Sequence, residues 1–274
     1  MKKNKNKFLV IGDPIKHSLS PILHNYWFSK YKVNSLYLKK KVKRKNLGKI
    51  IKDIKEKIYD GANITLPFKS SIIPYVDIIT PIVRKTNSIN TVYFKNGKLF
   101  GDNTDVFGFY YGILSKIKKK CTKVLIIGAG GVTSSVIVAL KKKWRLKKIY
   151  VANRNPRKSF ILKRRFGKVI EVVKFRNLQI FKDNIDLVIN TSSLGLKPKD
   201  KIKLNFSQFK MKIFVDLIYN PELTLFLKTA KKFKNHIFSG LSMFIYQAQK
   251  SFEIWTNILP KVNPGTYELL RRYL

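Results

Sequence analysis

The chain has a single cysteine in 274 residues. Cys121 cannot close an internal disulfide, so no oxidising compartment is implied and the thiol reads as inert. Histidine is nearly as scarce, at three residues. No Cys/His/carboxylate cluster has metal-ligand spacing, so no metal is expected. No apolar run approaches the ~18 residues of a membrane span. The stretch from Phe8 to Ile11 is too short for a signal peptide, and no cleavage-like sequence follows it. A cytoplasmic protein with no membrane partner is expected. Acid is also scarce: 15 Asp and Glu face 57 Lys and Arg, a net charge of +42. Such an excess ordinarily suggests a polyanion partner. Here lysine runs through the whole chain rather than one arm, alongside abundant Asn, Ile, Phe and Tyr, as codon drift in an AT-rich genome would produce. No specific nucleic-acid partner is expected.

What is present is an alternation of strand and helix signals. Strands are expected at 7–11, 35–40 and 61–67. A helix is expected from Pro21 with Ser20 as its N-cap, and others over about 46–58 and 78–86. Residues 91–101 read as a hairpin about Asn96-Gly97, the preferred type I′ pair. A connecting helix is expected over 105–117 and a new unit after it. Its strands are 123–128, 148–154, 185–195 and 212–219, with helices between, which implies a parallel sheet with right-handed crossovers. The end of the chain, from Ser242, reads as helical.

The strand VLIIG runs into Gly128-Ala129-Gly130-Gly131-Val132 and an apolar helix. Glycines let a backbone turn approach a pyrophosphate, and the following helix N-terminus offers free N–H groups and a positive dipole end. Thr133 replaces the third glycine of the usual fingerprint. The next strand ends in Asn153 and Arg154, with Arg157 and Lys158 behind. An acid there would hold a ribose 2′-hydroxyl; cations favour a 2′-phosphate, so NADP is the expected cofactor.

Three polar clusters remain: His17-Ser18-Leu19-Ser20-Pro21, then 61–69 (GANITLPFK), then Asn90-Thr91 with 101–105 (GDNTD). Their small hydroxyls and amides suit a ligand with many hydroxyls and one carboxylate. With NSINTV, ANR, INTSSLG, DLIYNPELT and GLSMFIYQA they occur in one order from residue 11 to about 250. In these stretches the chain resembles the shikimate dehydrogenase family.

The resemblance implies two α/β domains with a cleft between them: a substrate-binding catalytic domain over 1–105 plus 241–274, and a Rossmann NADP-binding domain over 106–240. It implies reversible NADPH-dependent reduction of 3-dehydroshikimate to shikimate, in aromatic amino acid biosynthesis, by a monomer or homodimer. An NAD-using quinate/shikimate dehydrogenase and a catalytically idle binding relative are the alternatives. Lys69 matches the catalytic lysine and Asp105 its partner carboxylate. Ser18 and Ser20 match the serines that hold the substrate carboxylate. Thr65, Asn90 and Gln247 match residues for ring hydroxyls, and Tyr219 a substrate-side tyrosine. Thr191, Ser192, Leu217 and Gly240 match positions on the nicotinamide side. His17 reads as structural, and His24 and His236 fall in no motif. The chain departs from the family at Val106, where Gly follows NTD. It departs again at Asn155 and Lys158, more often Thr and Arg, and at Asn87 and Ser88, where Gly and Ala are common.

Overall fold

The structure is a computed structural model that describes residues 5–180, 184–197 and 200–274. In chain order its elements begin β1 (Asn6–Gly12), α1 (Ser20–Lys30), β2 (Ser35–Lys41), α2 (Leu47–Lys55), β3 (Gly61–Ile64), β4 (Ile78–Ile79), α3 (Pro81–Thr86), β5 (Thr91–Lys95), β6 (Lys98–Asp102) and α4 (Asp105–Gly112). They continue with β7 (Lys123–Ile127), α5 (Thr133–Lys143), β8 (Lys148–Asn153), α6 (Pro156–Phe166), β9 (Ile170–Lys174), β10 (Leu187–Asn190), β11 (Ile213–Asp216), α7 (Leu225–Lys232) and β12 (His236–Phe238). The chain ends with α8 (Leu241–Thr256) and α9 (Pro264–Arg271). It forms two compact units, 1–108 with 245–273, and 109–244 with Leu274.

The first unit holds a mixed sheet in the order β2-β1-β3-β5-β6-β4. Residues Phe8–Gly12 of β1 are all buried, as expected of a strand covered on both faces. Leu9 and Ile11 join a core with Ile51, Ile54, Ala62 and Ile64. The buried residues of α2 are Leu47, Ile50, Ile51 and Ile54, an amphipathic stripe that places this helix over the sheet. Phe8 points the other way, stacked on Trp255 at 4.7 Å and tilted against Phe28 at 5.7 Å. In the β5–β6 hairpin Asn96 and Gly97 have φ of 50° and 73°, the two positive values of a type I′ turn. Asn87 closes α3 in the left-handed region at φ 53°. Asn is among the few residues that accept this at low cost.

Two local expectations fail. The helix expected over 78–86 begins only at Pro81, because Ile78–Ile79 pair with β6 as β4. Ser20 does not cap α1: it is the first helical residue, and the cap position is Leu19, which makes no side-chain cap bond. Ser20 instead donates its N–H to Ser18 Oγ at 3.4 Å.

The second unit holds an all-parallel sheet in the order β9-β8-β7-β10-β11-β12. Counted along this unit that is 3-2-1-4-5-6, the doubly wound dinucleotide-binding order. The direction of winding reverses between β7 and β10, so the loops leaving their carboxyl ends part and leave a crevice. No helix among the described residues is long and apolar enough to cross a membrane.

Candidate functional site

In the first unit the end of β3 and the start of α4 bring a cation and an acid together. Phe68 is buried in the core and pins the turn, and the Lys69 carbonyl accepts the Ile89 N–H at 2.7 Å. The Lys69 side chain, 12% exposed, donates from Nζ to Asp105 Oδ2 at 2.5 Å; the Asp105 side chain is 6% exposed. An ion pair so far from solvent needs its remaining lone pairs satisfied. Asn90 Nδ2 donates to Asp105 Oδ1 at 3.0 Å, to Thr104 Oγ1 at 2.8 Å and to Gln247 Oε1 at 3.4 Å. Asn90 Oδ1 accepts the Thr104 N–H at 2.7 Å, which fixes which way the amide faces.

Beneath these groups lies a layer in which Asn63, Thr91 and Thr104 of the polar clusters meet Tyr37 and Ser251, which the sequence did not single out. Thr91 and Ser251 hydroxyls lie 2.8 Å apart, and Thr104 lies 3.1 Å from Ser251. Asn63 donates to Thr91 Oγ1 and Ser251 Oγ and accepts from the Tyr37 hydroxyl at 2.6 Å. Nearly every polar atom here has a partner, so the network holds Asn90 in one rotamer. Ser18 and Ser20 lie together with hydroxyls 3.3 Å apart. The Thr65 hydroxyl has no side-chain partner among the described residues, while its N–H donates to Ile11 O at 2.9 Å.

In the second unit β7 ends at the glycine turn. Gly128 has φ +117°, and a Cβ there would stand 2.6 Å from Thr191 Oγ1 and 2.8 Å from the Ser192 nitrogen. Only glycine fits between β7 and the loop leaving β10. At Gly130 a Cβ would meet nothing within 4 Å, so the backbone there is open to a ligand. Ala129, Gly131 and Val132 complete the turn, and no side chain caps the first turn of α5. The open turn and uncapped helix end fit a dinucleotide pyrophosphate. At the end of β8 Asn153 donates to the Asn155 carbonyl at 2.8 Å, and Asn155 caps α6 through the Arg157 N–H. Arg154, Arg157 and Lys158 are exposed, and none has an ion-pair partner among the described residues.

Thr191 and Ser192 rest on a second buried network. Asn190 Oδ1 accepts from the Ser192 N–H and hydroxyl, and Asn190 Nδ2 donates to Asp216 Oδ1 at 3.0 Å. Asp216 also accepts from Thr224 Oγ1 at 2.7 Å and from the Ile218 N–H at 3.1 Å. Leu217 follows, and a Cβ on Gly240 would collide with its carbonyl. Tyr219 stacks on Phe244 with centroids 4.5 Å apart. Burial pushes the Asp216 carboxyl up to about 6, against which its three hydrogen bonds pull. A raised acid contributes stability below its unfolded value near 4 and loses it as pH rises through 6. The free-energy difference between wild type and Asp216→Asn is therefore expected to move by about 2 kcal/mol in favour of the variant from pH 4 to pH 7.5. Urea unfolding at both pH values measures it; a difference independent of pH would refute it. Burial, with Asp186 nearby, pushes the Cys121 thiol up to about 11, as fits an unreactive group.

A 3-2-1-4-5-6 parallel sheet with an open glycine turn, in a chain that also holds a buried Lys–Asp pair, defines an oxidoreductase of the nicotinamide-dinucleotide class. Three family models match the chain: shikimate dehydrogenase substrate binding domain at 10–92, shikimate/quinate 5-dehydrogenase at 113–221, and shikimate 5′-dehydrogenase C-terminal domain at 240–264. Shikimate dehydrogenase (NADP+) of Pelagibacter ubique is 46% identical over 97% of this chain and 99% of its own. The chain belongs to the shikimate dehydrogenase family. The crystal structure of the Thermus thermophilus enzyme, in complex with NADP(H) and shikimate, is 30% identical with a TM-score of 0.86, over 98% of this chain and all of its own. A 5-ketofructose reductase of Gluconobacter, at 23% identity and 99% coverage of both chains, has a TM-score of 0.87. The fold alone thus leaves the substrate open, and the side chains must decide it.

Proposed function

We propose that this chain reduces 3-dehydroshikimate reversibly to shikimate with NADPH, using Lys69 as the group that gives and takes the proton. The observation that carries the reading is the Lys69–Asp105 pair, 2.5 Å apart and nearly buried. When a carbonyl is reduced, its oxygen gains negative charge, and an ammonium within hydrogen-bond reach both stabilises that charge and protonates it. Bound NADPH supplies the hydride. Asp105 orients the lysine and has lone pairs for a substrate hydroxyl. Asn90 steadies Asp105 and, with Thr65 and Gln247, offers donors and acceptors to ring hydroxyls. Ser18 and Ser20 hold the carboxylate, and Tyr219 is the remaining substrate-side group.

In the same reading the unit over 1–105 plus 241–274 binds substrate, and 106–240 binds the cofactor. Gly128 to Val132 take the pyrophosphate. Asn153, Arg154 and Lys158 take the adenosine end, where exposed cations with no carboxylate partner suit a 2′-phosphate. Thr191, Ser192, Leu217 and Gly240 line the nicotinamide side. The reading is of a cytoplasmic enzyme, monomer or homodimer, acting on small metabolites.

Steady-state oxidation of shikimate and quinate, each with NADP and NAD, tests it. Shikimate with NADP should exceed each other pair in kcat/KM by roughly 10²-fold. A preference for quinate or NAD would overturn the specificity argument, and no turnover by folded protein with any pair would overturn the enzyme reading.

A further inference from the structure

The fold concentrates charge that looks evenly spread in the sequence. In a parallel sheet every strand starts at the same edge, and every crossover helix ends there. In the second unit five of the six segments that build that edge are 116–123, 141–148, 163–169, 208–212 and 228–236; the sixth, leading into β10, carries Asp186. Together the five hold 21 Lys and Arg and no Asp or Glu; 116–123 reads KIKKKCTK and 141–148 KKKWRLKK. At the opposite edge the residues next to the ends of β7, β8, β10, β11 and β12 (128–133, 153–158, 191–196, 217–224 and 239–244) hold three cations and one acid, and Arg176 follows β9. The register puts Lys123 beside Lys148 in adjacent strands, so the two richest segments are neighbours.

Among the described residues, the acid near this edge is engaged. Glu171 pairs with Lys148 at 3.2 Å, and Asp186 accepts the N–H groups of Thr122 and Lys123 at 2.7 and 3.0 Å. Helix ends account for part of the excess, since cations in a last turn favour the exposed carbonyls. Lys143 is spent this way, donating to the carbonyls of Leu114 and Ile117. Lys118, Lys119, Lys120, Arg145 and Lys147 lie outside helices and are exposed. A concavity of about 460 Å³ lined by Lys141, Lys142, Trp144, Arg145 and Val169, among others, has no acid in its walls.

We infer that this strand-start edge of the second unit docks the phosphate backbone of a nucleic-acid duplex without reading sequence. Six strands spaced ~4.8 Å apart span roughly 24 Å. A duplex carries one phosphate charge per ~1.7 Å of axis counting both strands, so roughly 14 charges lie along that span, part of them on the side that faces the protein. Insertion into a lipid surface wants exposed apolar wedges, and single-strand binding wants exposed aromatic platforms. Across these five segments Met211 is the one large hydrophobic side chain that is exposed. Backbone contact by lysine and arginine needs neither.

The test uses full-length protein with labelled 30-bp duplexes of DNA and of RNA, over a range of NaCl. Micromolar binding is expected, with log K falling steeply against log salt. The variant Lys118→Gln/Lys119→Gln/Lys142→Gln/Arg145→Gln/Lys147→Gln should lose at least about tenfold in affinity at fixed salt, with a shallower slope. The control Lys43→Gln/Arg44→Gln/Lys45→Gln/Lys49→Gln/Lys57→Gln removes the same charge from exposed positions in the first unit and should lose under threefold. Thermal melts check that both fold. Preference for one duplex would identify the natural source of the backbone. Equal loss in both variants would mean diffuse charge and overturn the assignment, as would no duplex binding or tighter binding to phosphatidylglycerol vesicles than to either duplex.

Discussion

Lys69→Ala is expected to lower kcat for shikimate oxidation by roughly 10²–10⁴, with a much smaller change in KM. In the proposed reading Lys69 is proton donor and oxyanion partner, a role that acts most strongly at the transition state, so its loss should fall on kcat. The truncation also leaves Asp105 nearly buried without its cation, and such an unpaired charge costs several kcal/mol. Activity must therefore be compared on protein shown to be folded. Two further measurements separate chemistry from damage. A small alkylammonium should partly restore the rate of Lys69→Ala, because it returns the missing group to the space vacated. Asp105→Asn keeps the shape and removes the charge, and should raise KM as well as lower kcat, since Asp105 also faces the substrate hydroxyl in this reading. A fall of less than tenfold in Lys69→Ala, with no response to added amine, would remove Lys69 from the chemistry.

How far the sequence anticipated this site depends on the distance over which each part is assembled. Lys69, Asp105 and Asn90 stand in short stretches whose order along the chain is distinctive, and they meet in the structure. The glycine turn was legible for a local reason: strand, turn and helix are contiguous. The layer that holds Asn90 was not. Asn63 and Ser251 are 188 residues apart, and no local pattern marks a lone serine on α8 as the partner of an asparagine in β3. Asp216 reads as one more strand-end residue until Asn190, Thr224 and Ile218 are seen to converge on it. β9 and β12 are edge strands of the second sheet and α7 has only eight residues, so none gives the long apolar period by which its neighbours were recognised. Ser20 was misread because Ser before Pro is a common cap pair; here the chain turns into the helix one residue earlier. The clustering of charge was not legible for a topological reason: parallel crossovers bring segments far apart in sequence to one edge.

The first unit is expected to lose stability as pH falls below about 6.5, through one residue that the sequence passed over. His24 is fully buried, and neither ring nitrogen has a hydrogen-bond partner among the described residues. Its ring stacks on Tyr37 at 4.3 Å and 2°, with Trp27, Phe28, Phe252 and Trp255 around it. Burial pulls its pKa down to about 3. The folded state thus keeps His24 neutral while the unfolded chain binds a proton near 6.5, so stability is complete above that value and declines toward pH 3. The loss is about 2 kcal/mol at pH 5 and about 3 kcal/mol at pH 4. Asp216 works in the opposite sense in the other unit, so the acid limb of the whole chain would blur the two. Comparing wild type with His24→Leu isolates the first. The variant removes the titrating ring, whatever its fixed packing cost, and the difference in unfolding free energy should shift in its favour by about 3 kcal/mol between pH 7.5 and pH 4. Urea unfolding followed by tryptophan fluorescence suits the measurement, since Trp27 and Trp255 lie within 6 Å of the ring, at 5.8 and 5.4 Å. His17 and His236 are exposed and remain in both proteins, and the repulsion among 57 cations is common to both and cancels. A difference that stays flat from pH 7.5 to pH 4 would mean that His24 finds a proton acceptor or water in the folded state and is not the source of acid lability.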